Sequence, residues 1–252
     1  MYSLGIDIGS RNSKIVIWDP AAGEIIYHAY QSTEVSAVRS VDRLLESASA
    51  ACDVTRISKS CVTGYGRKLY KKADKVLTEI TCHAAGCFQL FPDCRTVIDI
   101  GGQDSKIISL HDTGIVADFV MNDKCAAGTG RFLEMTAMRL DCDLDTLSGL
   151  AETADRELKL NSTCVVFAES EIIGLLAEGH SQQNIAHAVY MSIARRIYAQ
   201  IAGIEIKPQL VFTGGVAKSE HLQKCLGKLL ACELLVPFEP EISGALGAAI
   251  LA

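Results

Sequence analysis

An eight-residue pattern that occurs twice constrains the fold of this chain more than any other feature. The segments Asp7-Ile-Gly-Ser-Arg-Asn-Ser-Lys14 and Asp99-Ile-Gly-Gly-Gln-Asp-Ser-Lys106 are identical at five of eight positions. Each copy stands between two runs of sequence that are typical of β-strands. Internal similarity of this kind predicts a duplicated lobe, with the same loop at the same place in each half.

The order of predicted elements is also similar after the two copies. In the first half, the sequence predicts strands at 3–8, 13–18 and 24–31, a helix at 35–51 and a strand-to-helix passage at 61–72. In the second half, it predicts strands at 96–100, 105–110 and 115–121, helices at 129–140, 165–178 and 181–201, a strand at 209–213 and a small-residue helix at 243–251. We therefore expect an α/β fold with a duplicated βββαβα core. Residues 1–93 with the C-terminal helix 240–252 form the first expected lobe, and residues 94–239 form the second.

Charge and composition exclude several classes of protein. The chain has 252 residues, a net charge of -6 and 24 scattered Lys and Arg residues, so it lacks the basic surface of a nucleic-acid-binding protein. No run approaches the ~18 apolar residues of a membrane span, and no secretory signal is recognisable. Ten cysteines in such a chain are expected to be reduced thiols. We expect a cytoplasmic protein with neither nucleic acid nor membrane as a partner.

Each copy of the pattern joins a carboxylate to a glycine turn, an arrangement that suits phosphate. Glycine lets backbone N–H groups approach an anion closely, and an adjacent Asp can hold Mg²⁺ directly or through its waters. Asp7 and Asp99 are therefore the candidate metal-binding and catalytic carboxylates. The expected phosphate-binding residues are Gly9, Ser10, Asn12, Ser13 and Lys14 in the first loop and Gly101, Gly102 and Lys106 in the second. A single Asp-x-Gly segment is equally consistent with an ordinary turn. Two copies predict a phosphate clamp, in which the two loops bind phosphate from opposite sides.

A third glycine-bearing loop extends the candidate nucleotide site. Phe212-Thr-Gly-Gly-Val-Ala-Lys-Ser219 reads as an apolar strand that ends in two glycines before a helix. Such a loop suits close approach by a flat ring or a phosphate. Gly214, Gly215 and Val216 are the candidate residues, and the sequence contains neither a P-loop nor a dinucleotide-binding glycine fingerprint.

Together with the small-residue helix Ser243-Gly-Ala-Leu-Gly-Ala-Ala249, these loops resemble the five-part signature of the acetate kinase, sugar kinase, Hsp70 and actin superfamily. The resemblance spans nearly the whole chain. It implies a two-lobed, actin-like (ribonuclease H-like) ATPase fold with ATP or ADP and Mg²⁺ in the cleft. It places the two loop aspartates near the metal and Gly214 and Gly215 near the adenosine. By their chemistry, Gln103 and Asp104 are the candidates for positioning the attacking water.

Two cysteines stand just ahead of apolar-periodic helices, in segments with no obvious place in a kinase. Cys125 lies in Asn122-Asp-Lys-Cys-Ala-Ala-Gly-Thr-Gly-Arg-Phe132, and Cys164 opens Cys164-Val-Val-Phe-Ala-Glu-Ser-Glu171. A helix N-terminus favours a thiolate and any anionic group bound to it, such as a cubane iron-sulfur cluster held by four thiolates. Two cysteines do not complete such a cluster, but a two-fold homodimer would supply four. The alternative is that both are buried core thiols.

The same segments, with Thr78-Glu-Ile-Thr-Cys-His83 and Val97-Ile-Asp-Ile-Gly-Gly-Gln-Asp-Ser-Lys106, resemble the activator ATPases of 2-hydroxyacyl-CoA dehydratases, whose relatives are ATPase subunits of benzoyl-CoA reductases. The resemblance implies a homodimer with one [4Fe-4S] cluster at its interface, bound by Cys125 and Cys164 of each subunit. It also implies an electron donor such as ferredoxin or flavodoxin, and an acceptor that is an iron-sulfur dehydratase or reductase acting on acyl-CoA-type substrates.

Three other interpretations remain open at this point. The chain could be a small-molecule kinase of the same superfamily, although nothing outside the phosphate loops stands out as a general base. It could be a chaperone or assembly protein, which would leave Cys125 and Cys164 unexplained. Cys82, Cys87 and Cys94 offer a rival metal site, but their spacing is not a usual zinc pattern, and His83 beside them is expected to be a packed or capping residue.

Overall fold

Two five-stranded sheets, built on one plan, form the framework of this protein in a computed structural model that describes residues 1–161 and 164–252. The first sheet has the order β3-β2-β1-β4-β5 and consists of β1 (Tyr2–Ile8), β2 (Asn12–Asp19), β3 (Glu24–Ser32), β4 (Ile57–Thr63) and β5 (Lys75–Val76). The second has the order β10-β9-β6-β7-β8 and consists of β6 (Thr96–Ile100), β7 (Ser105–Leu110), β8 (Val116–Asn122), β9 (Leu210–Thr213) and β10 (Leu234–Leu235).

The pairing of the strands is the same in both sheets. The first three strands of each sheet form an antiparallel meander, and a later strand lies parallel to the first one on its other side. The opening strands β1 and β6 are buried along their whole length, as expected for strands covered on both faces. This repeated topology confirms the predicted two-lobed α/β fold.

Eight helices surround the sheets within the described residues: α1 (Ala37–Ala51), α2 (Glu79–Leu90), α3 (Gly130–Arg139), α4 (Leu144–Glu152), α5 (Val165–Ala177), α6 (Gln182–Ile201), α7 (Glu220–Leu230) and α8 (Ser243–Ile250). The largest apolar core packs α3 to α7 against the second sheet, and a separate core packs α1 against the first. No helix in the described ranges is both long and apolar enough to cross a membrane.

The helices α2 and α8 pack against each other between the two sheets. α8 contacts β1, β2 and β4, whereas α2 contacts β6, β7 and β8. The contact between the two helices is close because glycines face backbone atoms. A Cβ added at Gly247 would overlap the Cys82 carbonyl oxygen, and one added at Gly86 would overlap the Ser243 carbonyl oxygen. The small-residue composition of α8 therefore has a packing function.

Gly247→Ala is expected to lower the free energy of unfolding by ~1 to 3 kcal/mol, because the added methyl group must push α2 and α8 apart. Gly149→Ala is the matched control. Gly149 is exposed on α4 with nothing within 4 Å of an added Cβ, so the change should stabilise its helix by ~0.5 to 1 kcal/mol. Urea unfolding of both variants measures the difference. Equal stability of the two would show that the α2–α8 contact accommodates a methyl group.

The segment 61–72, predicted to pass from strand to helix, instead passes from a strand to turns. β4 ends at Thr63, and Gly64 follows with a φ of +93°, where a Cβ would overlap the Asp7 carboxylate. The Gly66 N–H then donates a hydrogen bond to the Ile8 carbonyl at 2.8 Å. These contacts hold the chain against the first phosphate loop, and the next helix, α2, begins only at Glu79.

Candidate active site

A cleft of about 710 Å³ lies between the two lobes, in the size range of small-molecule sites. All but one of the nucleotide-site residues predicted from the sequence line it: Asp7, Gly9, Ser10, Asn12 and Lys14; Asp99, Gly101, Gly102, Gln103, Asp104 and Lys106; and Gly214, Gly215 and Val216. The exception is Ser13, which is fully buried with its hydroxyl 2.9 Å from the Thr33 hydroxyl. Cys125 and Cys164 lie outside the cleft lining.

The two phosphate loops have the same geometry. The Gly9 N–H donates to the Asn12 carbonyl at 3.0 Å, and the Gly101 N–H donates to the Asp104 carbonyl at 2.9 Å. Each loop therefore closes a tight turn between two antiparallel strands, at the carboxyl end of β1 or β6.

An aspartate and a lysine pair across the strands at the base of each loop. The strand register places Asp7 opposite Lys14 and Asp99 opposite Lys106. Lys14 Nζ lies 2.9 Å from Asp7 Oδ2, and Lys106 Nζ lies 3.0 Å from Asp99 Oδ2. The matching positions of the sequence repeat thus form two matching ion pairs.

Lys106 is the centre of the charge network on the cleft floor. Its Nζ also lies 2.6 Å from Asp104 Oδ2 and 3.1 Å from Glu79 Oε2. Burial opposes the charge of Lys106, but the carboxylates of Asp99, Asp104 and Glu79 outweigh burial and raise its pKa above its ordinary value. Burial likewise opposes ionisation of Asp99, yet His83 and the nearby lysines hold its pKa below the ordinary range. Both groups are charged at neutral pH.

Two residues of α2 belong to this network although no catalytic role was predicted for them from the sequence. Glu79 binds Lys106, and His83 is buried with its Nδ1 3.6 Å from Asp99 Oδ1. A Cβ added at Gly244 would lie 3.0 Å from His83 Nε2 and 3.2 Å from Asp7 Oδ2, so His83 stands close to both loop aspartates. The available signal was the spacing of four between Glu79 and His83, which places them on one face of a helix.

The third loop has the conformation that its two glycines predict. Gly214 has a φ of +89°, and its N–H donates to the Pro240 carbonyl at 3.0 Å. Lys218, at the end of the loop, forms an ion pair with Glu241 at 2.7 Å and a hydrogen bond with the hydroxyl of Tyr30 at 2.9 Å. Because Tyr30 belongs to the first sheet, this lysine connects the lobes along one side of the cleft.

Cys125 and Cys164 both occupy N-cap positions without forming a side-chain cap. Cys125 is half-buried ahead of a 3₁₀ turn, Ala126–Gly128, and Cys164 is exposed at the start of α5. The Arg196 guanidinium on α6 lies 3.2 Å from Cys125 Sγ. Residues 162 and 163 of the segment before α5 lie outside the described residues. The alternative that both are buried core thiols does not fit Cys164, which is exposed, whereas Cys125 is half-buried and packs against the large apolar core.

Cys82, Cys87 and Cys94 are fully buried thiols in two apolar clusters, one that contains Cys82 and Cys61 and another that contains Cys87 and Cys94. Cys82 and Cys87 lie on α2, as expected, and burial raises the pKa of Cys87. Cys82 pairs with Cys61, which raises the pKa of Cys82, while the Cys94 thiol bonds the Thr96 carbonyl at 3.5 Å. These three cysteines act as small apolar core residues rather than as a common metal site.

The duplicated sheets, the paired Asp-Gly loops and the glycine loop facing them define a two-lobed ATPase of the actin-like class. The sequence profile of the BadF/BadG/BcrA/BcrD ATPase family matches residues 4–252, and the chain belongs to this family. The protein is therefore an ATPase that binds ATP or ADP.

Close relatives span the whole chain. An activator of lactoyl-CoA dehydratase from Anaerotignum propionicum is 43% identical over 100% of this chain and 97% of its own length. The solved structure of an activator of 2-hydroxyisocaproyl-CoA dehydratase from Clostridium difficile, with bound ADPNP, has a TM-score of 0.92 at 38% identity, covering 100% of this chain and 94% of that one. Component A of (R)-2-hydroxyglutaryl-CoA dehydratase from Acidaminococcus fermentans has a TM-score of 0.93 at 37% identity, covering 100% and 97%.

Proposed function

We propose that this ATPase is an activator that delivers a low-potential electron to an iron-sulfur dehydratase or reductase acting on acyl-CoA-type substrates. The observation that carries this proposal is the direct hydrogen bonding between the Cys125 segment and the second phosphate loop, in a chain that is similar over its whole length to dehydratase activators. In the same proposal the chain works in the cytoplasm and receives its electron from a ferredoxin or flavodoxin.

The charges on the cleft floor support Mg²⁺ as the metal that accompanies the nucleotide. Among the described residues, four carboxylates meet two ammonium groups and one imidazole there: Asp7, Asp99, Asp104 and Glu79 against Lys14, Lys106 and His83. The excess of negative charge suits a hard cation with oxygen ligands. In this proposal Asp7 and Asp99 hold the ion directly or through its waters, and Gln103 and Asp104 orient the attacking water.

The donor chemistry of the two cysteines fits an iron-sulfur cluster shared by two subunits. Each chain offers the half-buried Cys125, which lies 3.2 Å from the Arg196 guanidinium, and the exposed Cys164. Val166 and Phe167, next to Cys164, are 68% and 69% exposed, which is unusual for large apolar side chains and fits a dimer interface. When bound by four such thiolates, a [4Fe-4S] cluster supplies one-electron reduction at low potential.

Two independent connections link Cys125 to the second phosphate loop. The first is the start of α3, where the N–H groups of Gly130 and Arg131 each donate at 2.9 Å to the carbonyls of Gly101 and Gly102. The second is α6, which carries Arg196 beside Cys125 and, one turn further on, Gln200, whose amide lies 3.1 Å from the Ser105 hydroxyl. In this proposal, a change in how the second phosphate loop contacts the nucleotide reaches the Cys125 thiol through these two connections.

We also propose the lobe division 1–93 with 240–252 and 94–239, with α2 and α8 as the pair of helices about which the lobes rotate. Their glycine-mediated contact supports this role, because a rotation needs a close-packed pivot. The packing of α8 on β1 and β2 supports its place in the first lobe.

The test of the proposed function is a redox titration of the purified dimer with ADP and with a non-hydrolysable ATP analogue. A coupling of ~1 to 3 kcal/mol is ordinary for two linked sites. For a one-electron couple, where 59 mV is a tenfold change, this corresponds to a difference in midpoint potential of about 40 to 130 mV. Identical potentials in both nucleotide states would refute a coupled activator.

A matched pair of variants tests the route. The Thr129 hydroxyl donates to the Ala126 carbonyl and also reaches the Gly102 carbonyl at 3.1 Å. The Thr153 hydroxyl makes the equivalent local bond, to the Leu150 carbonyl, and no second one to another described residue. Thr129→Val should reduce the nucleotide-dependent potential difference, and Thr153→Val should leave it unchanged.

A further inference from the structure

Three side chains that commonly bind transition metals meet between α6 and α7, outside the lining of the nucleotide cleft. They are His187 on α6 and His221 and Cys225 on α7, and one potential ligand atom from each lies within 4.8 Å of the others. His221 and Cys225 are buried, and His187 is half-buried. The cluster has no role in the proposed ATPase or electron-transfer chemistry.

The local sequence explains how the cluster forms. Ser219 caps α7 by accepting the Leu222 N–H, which fixes the start of the helix. His221 and Cys225 are four residues apart on this helix and so share one face. That face packs on α6, where His187 projects from the first half of the helix. The packing of α6 against α7 therefore brings the side chains of His187, His221 and Cys225 together.

One ring nitrogen of the histidine pair is left without a protein partner among the described residues. His187 Nδ1 and His221 Nε2 are 2.9 Å apart, so a single proton lies between them. His221 Nδ1 is buried and has no hydrogen-bond partner in the part of the chain that the structure describes. Buried nitrogens of this kind are rare, because leaving one unpaired costs about 1 to 3 kcal/mol. The remaining wall is the thiol of Cys225 and the ring of Tyr190, which meets His221 edge-on.

We propose that His187, His221 and Cys225 bind one transition-metal ion of the zinc class. Imidazole nitrogen and thiolate sulfur are the ligands that Zn²⁺ prefers, and three protein ligands leave one position for water. Burial lowers the pKa of both imidazoles, which keeps their lone pairs available. When the metal–sulfur bond forms, the thiol proton of Cys225 passes to solvent, so binding releases one proton.

The charged side chains around the cluster are of both signs. Glu152 and Glu157 favour a cation there, while Lys224, Lys228 and Arg195 oppose it. Lys224 is paired with Glu152 at 2.5 Å, which reduces the effect of both. The affinity for the metal ion must therefore come from the bonds to the three ligands rather than from the charges of the surrounding side chains, as it does for zinc in proteins.

Such an ion would clip together two helices that each lead to a functional site. α6 continues to Arg196, beside Cys125, and α7 begins directly after the third glycine loop. The bound ion would therefore fix the position of the third glycine loop relative to the Cys125 segment. This role does not depend on the identity of the partner enzyme or on the iron-sulfur proposal.

The experiment is cobalt titration of the full-length chain carrying Cys125→Ser and Cys164→Ser, so that those thiols do not contribute. We expect one equivalent of Co²⁺ with a thiolate-to-cobalt charge-transfer band that Zn²⁺ abolishes by displacement. Cys225→Ser should remove this band and weaken Zn²⁺ at least ~100-fold, more than the ~10- to 100-fold loss typical of an outer-shell partner. Cys232→Ser, at a half-buried cysteine just beyond the same helix, is the control and should retain the band.

His187→Gln keeps the experiment decisive if the buried Cys225 variant does not fold. His187 is half-buried, and its replacement should lower Zn²⁺ affinity at least ~100-fold while the circular dichroism of the protein stays unchanged. The absence of cobalt binding in the parent, an unchanged band in Cys225→Ser, or unchanged Zn²⁺ affinity in His187→Gln would each overturn the proposed site.

Discussion

Cys164→Ser is expected to abolish iron binding in the anaerobically purified protein and to leave ATP binding intact. A hydroxyl is a poor ligand for iron compared with a thiolate, and in a site shared by two subunits one substitution removes two of four ligands. Cys164 is exposed and lies outside the nucleotide cleft, so the change should have little effect on folding or on the ATP site. Cys125→Ser should give the same loss of iron.

Iron content per dimer and the visible charge-transfer absorption measure this result, and calorimetry with an ATP analogue measures nucleotide affinity. Cys142→Ser is the control, because Cys142 is half-buried in the second lobe, as Cys125 is, but does not occupy a helix N-cap position, which at the start of α4 belongs to Asp143. The Cys142→Ser variant should retain full iron. Full iron in Cys125→Ser or Cys164→Ser would remove that residue from the ligand set, and iron loss in all three variants would indicate a general effect of thiol removal.

The repeated pattern made the fold and the cleft predictable because it specifies strand register as well as loops. Once Asp7 and Lys14 flank a tight turn between antiparallel strands, they must lie opposite each other, and the same holds for Asp99 and Lys106. The pattern is short and local, so its structure depends little on distant residues. For this reason, most of the cleft residues predicted from the sequence lie together in the structure.

Residues that reach the site from a different part of the fold were not predictable in this way. Glu79 and His83 approach the cleft floor because α2 packs on the second sheet, and Glu241 meets Lys218 because the chain returns ahead of α8. Neither contact follows from a local pattern. The turns after β4 were misassigned as a helix for the same reason, since Gly66 is fixed by a bond to Ile8, far away in sequence.

Asp99→Asn is expected to lower the kcat of Mg²⁺-dependent ATP hydrolysis at least ~100-fold, the scale seen when one electrostatic group of an active site is removed. Asp99 is buried 3.0 Å from Lys106, and its lowered pKa keeps it ionised, so in the proposed clamp it would provide a fixed negative charge for the metal. Asparagine has nearly the same shape but no charge. Lys106 would keep Asp104 and Glu79 as partners, which should preserve the fold. Asp7→Asn should have the same effect from the other lobe.

The control for this substitution is Asp112→Asn, at the hairpin between β7 and β8. The Asp112 side chain is 93% exposed and pairs only with Arg95 among the described residues, so its loss should leave hydrolysis unchanged.

Turnover measured against Mg²⁺ concentration separates the two roles that Asp99 could have. If the carboxylate holds the metal, Asp99→Asn should raise the Mg²⁺ requirement as well as lower kcat, while metal-free ADP still binds. If Asp99 only supports the fold, the midpoint of thermal unfolding should fall in step with activity, and added Mg²⁺ should restore nothing. Wild-type turnover in both Asp7→Asn and Asp99→Asn would contradict the clamp, because no other pair of carboxylates in the described chain stands at the ends of β1 and β6.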